Sequence, residues 1–113
     1  MVTKIVYKYL FWSALLATVV LSLLPLSASQ LSVFSWQDKL HHFIAYAVLC
    51  YFAIKSFGRQ YSFLQIGLAI AIFGLLVEFA QSLTSHRLGD IYDLIANIAG
   101  VLTVALWFFW RGN

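Results

Sequence analysis

Hydrophobic positions along this chain fall into four long runs separated by short polar breaks, and each run approaches the about 20 residues a helix needs to cross a hydrocarbon core of about 30 Å. The pattern predicts helices over 5–26, 39–57, 62–84 and 90–110. The first run contains LFWSALLATVVLSLLPL and ends at Pro25, a residue that suits a helix terminus. The breaks are too short for anything but direct returns, so successive helices must run antiparallel and pack side by side. The expected fold is all-α: one membrane domain over 1–113, a compact bundle of four transmembrane helices with short connecting loops. Lys4 and Lys8 ahead of the first run also fit a secretory signal. That run exceeds the usual 7 to 15 residues of a signal core, and Ser27-Ala28-Ser29 is a weak cleavage site, so a retained helix is expected.

Composition agrees with lipid as the solvent for this surface. Of the 113 residues, 63% are hydrophobic and only 10% charged, against about a quarter charged in a soluble domain. The seven cations sit at the ends of the apolar runs, where orientation signals and head-group contacts are found, so nucleic acid is not an expected partner. With a cytoplasmic N-terminus, Lys4, Lys8, Lys55, Arg59 and Arg111 lie inside, and Lys39 and Arg87 outside. This is the positive-inside asymmetry of an inner (cytoplasmic) membrane protein with both termini in the cytoplasm. Trp107 and Trp110 then fall at the inner interface and Trp36 at the outer one. Cys50 stands alone within an apolar run, which reads as a small buried hydrophobe.

Ionisable groups inside a span cost at least about 2.5 kcal/mol on insertion scales, so their placement is informative. Asp38, His42 and Tyr46 recur at steps of four, with Lys39 three before His42, which puts them on one helix face. Gly74, Glu78 and Gln81 share a face of the third helix and continue a seam of Gly67 and Ala71. Asp93, Asn97 and Gly100 share a face of the fourth, with Asp90 one turn earlier. At 1.5 Å per residue, His42 and Tyr46 lie about 5 to 12 Å inside their helix end, Glu78 about 8 Å and Asn97 about 10 Å. The three stripes therefore reach one slab below the same surface, rimmed by Lys39, Arg87 and Asp90, and are expected to form one polar cluster.

The segments LSLLP, DKLHHFIAY, GLLVEFAQ and HRLGDIYDLIANIAG, in that order, resemble the VanZ-like family, named for a protein associated with resistance to the glycopeptide teicoplanin. The resemblance covers 21–105 and rests on Asp38, Lys39, His42, Phe43 and Tyr46, on Glu78 and Gln81, and on Arg87, Asp93, Asn97 and Gly100. The chain departs from the family pattern before Arg87, where Thr84-Ser85-His86 stands in place of a Pro-Gly type turn. The resemblance implies a four-helix membrane domain and brings no agreed activity with it.

Three functions fit these residues. In the first, the protein binds or remodels an envelope lipid or lipid-linked cell-wall precursor at the outer leaflet, which would link it to glycopeptide tolerance. Lys39 and Arg87 would contact phosphate or carboxylate, while Asp38, His42, Tyr46, Glu78, Gln81, Asp90, Asp93 and Asn97 would shape the pocket. In the second, it is a transferase or hydrolase acting on a lipid head group, with His42 or Glu78 as general acid or base. In the third, it is an accessory membrane protein whose polar groups only fix helix packing, Glu78 pairing with Arg87, Lys39 or His42. His42, Glu78 and Asp93 are a conceivable mixed metal shell, but no H-E-x-x-H or paired-cysteine spacing is present, so neither a metal nor another cofactor is expected. No nucleophile–base motif or Gly-rich phosphate loop occurs. Membrane lipids are the expected partners, and the sequence carries no reading of oligomeric state.

Overall fold

A computed structural model describes residues 2–23, 37–83 and 91–111, with the side chains of Val2, Gln37 and Asp38 left out of the description. Four helices make up almost all of it: α1 (Val2–Leu23), α2 (Gln37–Phe57), α3 (Phe63–Ser82) and α4 (Ile91–Arg111). Each is long and apolar enough to cross a membrane, with mean hydropathy of 1.6, 1.3, 2.2 and 1.7 over its most apolar stretch. The protein is therefore a multi-pass membrane protein whose helices form a bundle measuring 42 × 25 × 25 Å. Helix α1 starts at Val2 rather than at residue 5, because Thr3 and Lys4 continue the helix beyond its apolar portion. Helix α3 ends at Ser82 with Leu83 as its cap, short of residue 84. Pro25, Ser27-Ala28-Ser29, Trp36 and the Thr84-Ser85-His86 turn lie outside the described residues.

The α2–α3 turn shows why the chain reverses where it does. The Gly58, Gln60 and Tyr61 amides close the end of α2 onto the Ile54 and Phe57 carbonyls at 2.8 to 3.0 Å. Ser62 then opens α3 through a capping box. Its hydroxyl accepts from the Gln65 amide at 3.1 Å, and the Gln65 side chain accepts from the Ser62 amide at 2.9 Å. Two of the amide groups that a helix start leaves unpaired are satisfied in this way.

Helix α2 lies against all three others, most extensively against α4, while α1 packs chiefly on α2. The shared core is built from Tyr46, Leu49, Cys50, Ala53 and Ile54 of α2, Ile66 and Ile70 of α3, and Val101 and Phe108 of α4. Among the described residues of α1 only Phe11 is buried. Polarity is distributed as a membrane requires: Leu64, Leu68, Phe79, Leu102 and Leu106 point outward, whereas Glu78, Gln81, Asp93 and Asn97 are buried. An apolar exterior is at ease in lipid, and polar groups gain by meeting one another inside.

Helices α2 and α4 run parallel and touch along most of their length. A Cβ on Gly100 would run into the Phe43 carbonyl oxygen and come within 3.0 Å of the Ala47 amide nitrogen, so here the two backbones are in contact. Further along, the Cys50 thiol points at the Val101 carbonyl, 3.7 Å away. Tyr51 and Phe108 pack ring on ring at 5.6 Å.

Candidate functional site

At one end of the bundle the α2 and α4 stripes meet. Lys39 and His42, one turn apart on α2, both face Asp93, two residues into α4. The Lys39 Nζ lies 2.7 Å from Asp93 Oδ1, and His42 Nε2 lies 3.5 Å from Asp93 Oδ2. The other ring nitrogen of His42, Nδ1, is 3.0 Å from Asn97 Oδ1. The parallel register explains the match, since residues three apart on α2 meet residues four apart on α4, each pair lying on one face. Lys39 stands at the rim with its side chain 36% exposed, and Asp93 behind it is only 7% exposed. Asn97, at 1%, lies deepest. The set runs as a polar line from the surface into the bundle.

With the Asn97 oxygen facing the ring, His42 donates from Nδ1 to the amide, and its other nitrogen faces the Asp93 carboxylate.

Helix α3 adds the second half of the cluster. Gly74 lets the Tyr46 ring and the Asn97 amide lie against the α3 backbone: a Cβ there would fall 2.9 Å from Tyr46 Cε2 and 3.3 Å from Asn97 Nδ2. The Tyr46 hydroxyl is buried and has no hydrogen-bond partner among the described residues. Glu78, one turn beyond Gly74 and also buried, lies within electrostatic reach of it. Gln81, also buried, donates from Nε2 to the Ser22 carbonyl at 2.9 Å and so fastens α3 to the end of α1.

Lys39, His42, Tyr46, Glu78, Asp93 and Asn97 thus come together, in contact or as near neighbours. The side chains of Arg87, Asp90 and Asp38 lie outside the described residues. Among the described residues, no three His, Cys, Asp or Glu side chains group closely enough to hold a metal ion. The lysine reaches Asp93, a pairing that the one-dimensional pattern could not select. The Ser22 contact was equally invisible, because a backbone carbonyl carries no residue-type signal. Gly74 and Gly100 were legible as close-approach points, though not their partners.

A protein-family model described as VanZ/LLP1 matches residues 2–111. No curated protein and no solved structure matches the chain.

Proposed function

From the premise that this chain belongs to the VanZ/LLP1 family, we propose that it binds or remodels an envelope lipid or lipid-linked cell-wall precursor at the outer leaflet of the cytoplasmic membrane, with both termini in the cytoplasm. The observation that carries this reading is the graded polar line at one membrane face. It begins at the partly exposed Lys39 and ends at buried Asn97, beside a buried Tyr46 hydroxyl without a partner among the described residues. A buried hydroxyl without a partner is costly, and a ligand that reached it would relieve that cost. An anionic head group would engage Lys39, together with Arg87, whose fork suits phosphate or carboxylate. Asp93 would hold Lys39 in place beforehand, and Tyr46 would donate to the deeper part of the ligand. The reading also agrees with a link to glycopeptide tolerance, since such drugs act on precursors outside the membrane.

A second reading has one observation in its favour. The His42 ring is held between Asn97 and Asp93, a fixed position that suits a general acid or base acting on a lipid head group, with Glu78 nearby. The test for both is native mass spectrometry of the purified protein. The wild type is expected to retain a co-purifying phosphorus-containing lipid that Lys39→Gln and Arg87→Ala lose while remaining folded. Equal lipid retention by all three would leave the cluster a packing network. Conversion of the retained lipid by the wild type, abolished by His42→Gln, would favour the enzyme.

A further inference from the structure

The opposite end of the bundle holds an open groove of about 750 Å³, lined by residues of all four helices, including Lys4 and Tyr7 of α1, Lys55 of α2, Phe63 of α3 and Phe108 of α4, with Arg59 from the α2–α3 turn. From this groove we infer a second lipid site: the head group of an anionic phospholipid, drawn from the leaflet at the end that carries α1's first turn, binds here through its phosphate.

Three observations support the assignment. The first is charge without internal compensation. Lys4, Lys55 and Arg59 converge on the groove, and no acidic side chain lines it among the described residues. Glu78 and Asp93 are both at the far end. Arg111 adds a fourth cation within electrostatic reach of Tyr51, the neighbour of Tyr7. An orientation signal would be satisfied by cations pointing to separate head groups. Here they share one concavity, and basic pockets between transmembrane helices are a recurrent way of holding anionic head groups.

The second observation is that the central cation is preset. The Lys55 ammonium sits 5.8 Å from the Tyr7 ring centre, 6.0 Å from that of Tyr51 and 5.9 Å from that of Phe108. Three rings from three helices hold it, so less of its rotamer freedom remains to be lost when a phosphate arrives. Arg59, exposed at the turn, supplies a bidentate grip, and Lys4 reaches in from α1.

The third is shape. The volume falls within the about 300 to 1,000 Å³ typical of ligand sites. Its wall joins cations to the apolar faces of Ile54, Phe63 and Phe108. A lipid offers that same sequence of phosphate, glycerol and acyl chain, whereas a free phosphate uses the cations alone.

The test uses the intact protein in detergent, titrated with phosphatidylglycerol or phosphatidylcholine of the same chains and read by native mass spectrometry. The wild type is expected to prefer phosphatidylglycerol. Removing two cations in Lys4→Gln/Arg59→Gln should weaken that preference about 25-fold, each cation near a membrane surface contributing about fivefold. Lys4→Arg/Arg59→Lys should keep most of it. In a Lys39→Gln background, which removes the cation of the other end, the same loss on Lys4→Gln/Arg59→Gln should persist, so a failed outer site and a failed groove give different results. If Lys4→Gln/Arg59→Gln does not fold, Arg59→Gln alone, at an exposed turn position, should still show a fivefold loss. Equal binding of the two lipids by the wild type would overturn the inference, as would a preference that survives the glutamine variants. Displacement of phosphatidylglycerol by an equal concentration of inorganic phosphate would also overturn it, giving the groove to a free anion.

Discussion

Replacing Asp93 by alanine removes an acceptor from two partners at once, the Lys39 ammonium at 2.7 Å and the His42 ring at 3.5 Å. The two do not suffer equally. Lys39, with 36% of its side chain exposed, can turn toward head groups, whereas the His42 ring, at 12%, has less room to turn. Asp93→Ala is therefore expected to cost about 1 to 3 kcal/mol, the usual penalty for stranding a buried polar group, and to appear as a lower unfolding temperature in detergent. Lys39→Gln should leave that temperature nearly unchanged and act only on ligand retention. A Lys39→Gln variant as unstable as Asp93→Ala would mark the pair as structural. Stripes at steps of three and four were readable in the linear sequence, since helical periodicity alone puts Lys39 with His42 and Asp93 with Asn97. Which carboxylate the lysine takes depends on how α2 and α4 are rotated about their axes, and no local rule sets that angle.

At the scale of helices, Gly100 is the contact that sets the spacing of α2 and α4. An added methyl group would meet backbone atoms of Phe43 and Ala47, which cannot give way as a side chain can. Gly100→Ala should push the two helices apart, lengthen the His42–Asn97 contact one turn away, and cost about 1 to 3 kcal/mol, as overpacking does. Thermal unfolding checks the cost. Gly74→Ala makes an instructive contrast, because the nearest atoms are the ends of the Tyr46 ring and the Asn97 side chain. That variant should cost less stability than Gly100→Ala, since side chains rather than backbone must shift, and should also lower lipid retention. If the two alanine variants prove equally stable, the α2–α4 contact is looser than these distances imply.

Over the whole molecule, the four helices alternate in direction, so one end gathers the Lys39–Asp93–His42–Asn97 line and the other the Lys4–Lys55–Arg59 groove. The two ends are opposite in design. In the first, cation and carboxylate neutralise each other within the protein; in the second, cations are gathered with aromatic rings and leave a net positive face. Arg111 stacks on Trp107 at 4.5 Å and Lys8 lies 5.6 Å from the Phe57 ring centre, adding to that face. The excess predicts orientation: in cells, an impermeant maleimide should label Gln37→Cys directly and Arg59→Cys only after permeabilisation. The reverse pattern would place the polar line at the cytoplasmic surface and with it change the leaflet from which each site draws.

What the sequence determined by itself is what a repeating hydrophobic solvent preference can encode. Four runs of sufficient length, almost free of charge, admit only spanning helices, because backbone groups in lipid must pair within their own segment. The positions of His42, Glu78, Asp93 and Asn97 inside those runs marked them as costly and therefore informative, and the order of their motifs carried the family. The tertiary structure decided pairings and cavities. It decided that Gln81 ties α3 to the Ser22 carbonyl, that Tyr46 lies across Gly74, and that Lys4, Lys55 and Arg59, 55 positions apart at their extremes, line one groove. Such relations depend on the rotation, spacing and direction of whole helices, set by the sum of many small contacts across the bundle, and no single stretch of chain contains that sum.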